Sequence, residues 1–575
     1  MVTHQVTYPL DLNRAFADKP FMEKKNILLP DSPGSKEGAI AFLKKLHHAD
    51  VPQALVQELG AHDLLLAMAE ADDEQRTDLL VLASKEQFEQ MVDFSCWDGY
   101  EMQLEKVEEF ISPLVHSGIG GAIRALDKLN DETRTLMLQN RVIVHLREEK
   151  DEDFPDVLDT SDFITTPDGY YGIEIPDAEM CPDVIKELIR AMLFKPFEYY
   201  QKELEAIRHE LKFDQMEDAL RWRNARLADL GFGTFEEGLA LLSPRSTKAV
   251  KEKMAKKEMP HPLDLESPVP AIYREHLSGN ELLDESFALL SGAKDAKWQE
   301  RATTLQAEMS AMVSLFLTGI KCNLADLDAI SKGTVLARDI LTLGLSDIAE
   351  TPHEGAAALA YLTPGEILQV GMGLVIPLRE RAKKLQYSDV LQTIQLDTPW
   401  QVVLDCVSSF IPKWWPMLDD GYASASIVEP LPDELEFITT TNRVSQAARY
   451  LDEMESLLTV LAQLEWRDGF SSQPVQPSTL ILTALCNAYV DGQATLDVVP
   501  SRDAEQFTSA FLNQPVEEML VSSLKVLTLP LNVPEEGSLS PADERHPLRR
   551  LLLRLLLIGR DRLESEAVSS AILTM

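Results

Sequence analysis

The chain has only five cysteines among 575 residues: Cys96, Cys181, Cys322, Cys406 and Cys486. They are far apart and odd in number, which excludes both a disulfide framework and a CxxC metal knuckle. Long hydrophobic runs are missing too. The nearly unbroken apolar stretches, such as 311–320 and 551–558, reach about ten residues, where a bilayer span needs roughly 20. Positive charge is scarce, 54 Lys+Arg against 94 Asp+Glu for a formal −40. Duplex nucleic acid is excluded as a partner of the whole surface, because phosphate binding needs clustered cations. The N-terminus has no basic region followed by an apolar core, so no signal peptide is expected, and the thiols suit a reducing cytoplasm.

Nucleotide and hydrolase handles are lacking as well. There is no GxxxxGK[ST], GxSxG or HExxH, and the pairs Gly231–Gly233 and Gly371–Gly373 complete no GxGxxG. Such glycines read as helix caps or close helix contacts. The histidines at His47, His48 and His62 fall at polar corners and form no ligand set. Cys96, beside Trp97 and Asp98, has no neighbouring base or cation and reads as a packed thiol. No catalytic, cofactor-binding or metal residue is indicated, no cofactor is called for, and an enzyme is the weaker expectation.

What is present is helical rhythm. With 45% hydrophobic and 26% charged residues the composition is that of a folded protein. From Asp50 to Asp98 short apolar clusters recur about every 11 to 13 residues, with members three and four apart. Asp72 with Gln75 and Ser84 with Gln87 carry the capping-box pattern that starts a helix. Helices this short do not persist alone and must bury their stripes against neighbours. The pattern predicts a short-helix superhelical array over 41–147, after an N-terminal extension at 1–40.

Residues 148–242 combine a dense acidic segment, a β-hairpin and more helices. The acids between Glu148 and Asp159 read as a solvated linker, or as a weak site for Mg²⁺ or Ca²⁺, although the EF-hand order is absent. Thr165 to Asp177, turning at Asp168-Gly169, predicts a small inserted hairpin. The segment 243–271, rich in proline and lysine, reads as a linker, and 272–575 as a C-terminal α-helical domain. The fold class expected is mostly α.

Three groups stand out as candidate ligand or partner contacts. In RWRNARLADLGF, the side chains of Arg221, Trp222, Arg223 and Arg226 either pair internally or hold an anionic or protein ligand, with Trp222 burying its ring. Trp414 and Trp415, between Pro412 and Pro416, are core residues or an exposed anchor. The C-terminal LRRLLLRLLLIGR is apolar almost all round, as in a buried helix or a homo-oligomer seam.

FSCWDGYEMQLEKVEEFI, DGYYGIEIPD and RWRNARLADLGF together resemble a bacterial family known as a domain of unknown function, over most of residues 40–240 and more loosely toward the C-terminus. That resemblance implies a mostly helical cytosolic protein and carries over no catalytic residue. The Asp50–Asp98 helices are also similar to the superhelical cytoplasmic N-terminal domain of a magnesium-transporter family, which implies shape alone. The function expected is a cytoplasmic interaction or scaffold protein with an unidentified protein partner. The alternatives are a divalent-cation sensor using the acidic segment, or an enzyme with an Arg-lined pocket.

Overall fold

A computed structural model describes residues 36–49, 51–147, 154, 162–176, 182–261, 277–416, 435–463, 475–515, 518–523, 547–565 and 568–573. Helix accounts for 71% of them, in 25 helices, and strands form only small sheets, so the protein is mostly α. The chain divides into two compact units. The first takes residues up to Ser243 with Lys248–Leu341 and Ile348–Gln369; the second takes Pro244–Thr247, Thr342–Asp347 and the chain from Val370.

The first unit begins with α1 (Lys36–His47), α2 (Pro52–Gln57), α3 (Ala61–Ala69), α4 (Asp73–Leu82) and α5 (Lys85–Ser95). After a two-residue hairpin, β1 (Trp97–Asp98) and β2 (Glu101–Met102), come α6 (Leu104–His116), α7 (Ile119–Lys128) and α8 (Asp131–Gln139). Each early helix packs on the next but one: α1 on α3, α2 on α4, α3 on α5, α4 on α6, α5 on α7. Leu64, Leu66, Leu79 and Leu80 of the sequence clusters are fully buried in these contacts. Both capping boxes form. Asp72 accepts from the Gln75 amide at 2.8 Å and Ser84 from the Gln87 amide at 3.1 Å, and each glutamine returns the bond.

Short helices leave a high proportion of C-terminal carbonyls without an intrahelical partner. Here the donors come from neighbouring helices. Gln87 donates to Val56 and Leu59 oxygens at the end of α2, both at 2.9 Å. Arg76 donates to Met68 O at the end of α3. Lys128 Nζ reaches three carbonyls at the end of α4, those of Leu80, Val81 and Ala83, at 2.6 to 3.0 Å. Arg134 serves Leu126 and Leu129 at the end of α7 while pairing with the buried Glu203.

The expected hairpin is present but is part of a larger sheet. β3 (Ile143–Leu146), β4 (Asp162–Thr165) and β5 (Tyr171–Ile175) form an antiparallel sheet in the order β3-β5-β4. Ile173 of β5 faces Val144 on one side and Ile164 on the other. α8 ends at Gln139, and β3 begins four residues later at Ile143. Of the acidic segment, the carboxylates from Glu148 to Asp159 lie outside the described residues.

Next come α9 (Asp183–Leu193), α10 (Phe197–His209), α11 (Lys212–Asp229), α12 (Phe235–Leu241) and α13 (Thr247–Met254). The long helix Ala296–Gly319 packs on α12, and Glu281–Ser291 packs on Pro352–Tyr361.

In the second unit, Thr441–Gln463 and Pro477–Asp491 both pack on Pro547–Ser565. The last of these buries Leu548, Leu551, Leu552, Leu555 and Leu556, so most leucines of LRRLLLRLLLIGR are covered within the chain, while Leu553 and Leu557 are half-buried. Two carboxylates are among the groups buried here. Glu453 accepts from Arg550 and Arg554, both at 3.2 Å, and from the Trp400 indole at 3.3 Å. Asp397 accepts from the Ser478 hydroxyl at 2.6 Å and its amide at 2.9 Å. Gly373 sits in the interior of helix Pro364–Gln386, where a Cβ would lie 2.4 Å from the Arg245 carbonyl oxygen. The close contact expected of that glycine is therefore real.

Candidate functional site

The RWRNARLADLGF motif forms the second half of α11 and its C-terminus. The helix stops because Gly231 adopts φ 81°, and the Phe232 amide closes back on Leu227 O at 2.9 Å, a Schellman end. This helix packs on α5, α8 and β2. That places Arg223 and Arg226 against the end of α5 and the turn that follows it.

Arg226 binds the Asp93 carboxylate with two parallel bonds, Nε at 2.7 Å and Nη2 at 2.9 Å. Asp93 is buried, and burial raises its carboxyl above the ordinary range while Arg226 pulls it back down. Arg223 donates its Nε to the Asp93 main-chain oxygen at 3.1 Å. Its guanidinium lies 5.0 Å from the centroid of the Trp97 ring, a cation–π contact. Burial pulls the Arg223 pKa down to about 10, so it remains a cation at neutral pH.

The other half of the motif faces outward. Arg221 pairs with Asp218 at 2.8 Å on an exposed face and stacks on Trp222 at 5.4 Å. Trp222 is 48% exposed, so the ring burial expected of it does not occur; position 222 lies on the solvent side of α11. The two tryptophans of the second unit behave in the opposite way. Trp414 is fully buried with its ring 5.9 Å from Tyr450, and Trp415 is buried as well, so neither presents an exposed anchor. Both rings are covered by the packed core of that unit.

Two other sequence candidates are interior groups. His62 is a buried residue rather than a surface corner: Nε2 is 2.9 Å from Leu324 O, and Phe94 packs edge-on at 5.0 Å. Burial takes its pKa down to about 4, which keeps the ring neutral. Burial pushes the Cys96 thiol up to about 12, an unreactive state. Among the described residues no three His, Cys, Asp or Glu side chains are grouped to hold a metal ion.

Sequence reasoning found Arg223 and Arg226 but not what they meet. Asp93 and Trp97 lie more than a hundred positions earlier; only the prominence of Trp97-Asp98 in the resemblance pointed at that turn. The arrangement is cationic and rich in N–H donors. It is suited to fixing elements in place and to holding an anion.

The fold and site define a mostly α-helical protein in which no single helix among the described residues is long and apolar enough to cross a membrane. One sharply bent pair, Pro352–Tyr361 with Pro364–Gln386, reaches that threshold only when taken together. The chain belongs to the family of unknown function DUF6178, whose profile matches residues 40–542. No curated protein and no solved structure matches it. The likeness to the magnesium-transporter domain is accordingly without support.

Proposed function

We propose that this chain is a cytoplasmic scaffold that docks a protein partner on a helical repeat of superhelical kind in its first unit. The observation that carries the proposal is the packing of α1 to α7, each helix on the next but one, with carbonyl ends tied by donors from adjacent helices. Stacks built in this way extend a continuous surface without needing a closed core. The Arg226–Asp93 and Arg134–Glu203 pairs are taken up in holding helices together.

The same unit leaves large apolar side chains in solvent at the turns of α9 to α11. Phe213 is 76% exposed, Phe194 73% and Leu211 66%. Exposed apolar side chains adjoining at one turn, as Leu211 and Phe213 do at the start of α11, favour a docking role over a purely structural one. A formal charge of −40 favours a partner whose docking surface is basic.

The test replaces Leu211 and Phe213 together with serine in the full chain and compares complexes isolated from the native cell. One protein co-purifying in stoichiometric amount with wild type, and lost from the double variant at an unchanged melting temperature, is the expected result. A wild-type chain that retains no stoichiometric protein under cross-linking overturns the scaffold reading.

A further inference from the structure

In so acidic a chain, a buried arginine ordinarily finds a carboxylate. Arg223 does not. It is 9% exposed, its Nε is taken by the Asp93 main-chain oxygen, and its two terminal nitrogens make no hydrogen bond among the described residues. The nearest acid, Asp93, is held by both of its oxygens on Arg226. Under the Arg223 guanidinium lies Trp97, and the indole N–H of Trp97 is itself buried without an acceptor. The indole N–H is a buried donor left unmade, which is costly and rare, and the Arg223 terminal nitrogens beside it reach solvent.

We propose that Arg223 and Trp97 form a binding site for a single carboxylate group of a small acid. The carboxylate meets the two terminal nitrogens of Arg223 end-on, in the plane of the guanidinium, and the Trp97 indole turns its N–H onto the same group. Planar two-point recognition is what a guanidinium fork provides with its Nε already engaged. The ring beneath fixes the orientation of that fork.

Charge selects a monoanion. Asp93 and Glu236 both act on Arg223 electrostatically, and Arg226 adds one further positive charge. Arg226 is spent on Asp93, so one cation, Arg223, meets the ligand, which matches one negative charge and not the two of a phosphate dianion. Glu236 is engaged by the Tyr100 hydroxyl, and Lys321 pairs with Asp98 at 2.6 Å, so neither of these neighbours is poised to satisfy or to compete for Arg223.

The experiment titrates the full chain with sodium acetate and sodium propionate at constant ionic strength. Sodium chloride and sodium phosphate serve as parallel arms, read by calorimetry and melting temperature. Wild type is expected to show saturable binding of acetate in about the millimolar range, as suits a ligand of so few atoms. Arg223→Lys keeps the charge and loses the fork, and weakens acetate about tenfold or more. Trp97→Phe keeps a ring beneath the guanidinium and deletes the N–H; it weakens acetate about three- to tenfold. This second variant keeps the proposal testable if Arg223→Lys fails to fold. An acetate response no larger than that of chloride overturns the site, as does unchanged binding in both variants. Phosphate bound more tightly than acetate overturns the carboxylate assignment.

Discussion

The two units solve the problem of buried polar groups in different ways. The first opens with short helices, α1 to α8, so carbonyl ends are frequent there, and Gln87, Arg76, Lys128 and Arg134 each reach across to tie the end of another helix. The second uses long helices such as Thr441–Gln463 and Pro547–Ser565, and its two buried carboxylates, Glu453 within a helix and Asp397 at the start of another, are met by arginine, tryptophan and serine. Both units bury carboxylates, Asp93 and Glu203 in the first among them, so what sets the opening of the first apart is the number of carbonyl ends that take a donor from another helix.

The largest effect should come from removing the donor with the most at stake. Arg134 joins two carbonyls of α7 to the buried Glu203, whose side chain is 2% exposed. Arg134→Met leaves that carboxylate buried and unpaired, and should cost about 3–5 kcal/mol in urea unfolding. Adding Glu203→Leu should recover much of the loss, since removing both charges is far cheaper than removing one. In the second unit Glu453→Gln keeps an acceptor for Arg550 and should cost less. If the two single variants cost the same, the contrast between the units fails.

Acid titration separates them next, because the signs are opposite. In the first unit burial lowers His62 from 6.5 to about 4, so the folded state resists a proton that the unfolded chain accepts. That contribution is complete above pH 6.5 and is lost as pH falls from 6.5 through 4, on the order of 3 kcal/mol. In the second unit burial raises Asp397 from 3.8 to about 6, so folding there favours the protonated acid. This contribution is complete below pH 3.8 and is lost as pH rises from 3.8 through 6, again on the order of 3 kcal/mol. Stability measured against pH for His62→Phe and Asp397→Asn, each minus wild type, should give difference curves of opposite slope between pH 4 and 6. Parallel curves would show that one of the two groups is not buried as described.

These contrasts mark what a linear sequence exposes. Local chemistry is legible: the boxes at Asp72 and Ser84 and the turn at Asp168-Gly169 depend on residues at most a few positions apart, and all three form. β3 was hidden because its partner β5 is distant in sequence, and Val142 continues a helical spacing up to the residue before the strand. The helix-end ties were hidden for the same reason. Lys128 reads as a surface lysine closing α7, and only the packed stack shows Leu80, Val81 and Ala83 beneath it. Of the candidate site, composition suggested that arginines would pair with acids. That holds for Arg226 and not for the Arg223 terminal nitrogens, a difference set by which side of α11 meets Asp93.

The smallest effects test whether local or cross-helix bonds govern the short-helix unit. Ser84→Ala removes one hydroxyl from the start of α5 and should cost about 1 kcal/mol, the usual worth of such a cap. Gln87→Ala removes the other half of the same box together with two bonds to Val56 and Leu59 at the end of α2, and should cost about 2 kcal/mol. Asp72→Ala serves as the reference, because the Gln75 opposite it makes no bond to another helix among the described residues. Gln75→Ala should then cost no more than Asp72→Ala, while Gln87→Ala exceeds Ser84→Ala. Equal penalties at both glutamines, read from urea midpoints, would mean that the caps act alone and that the ties between helices contribute little to the stack.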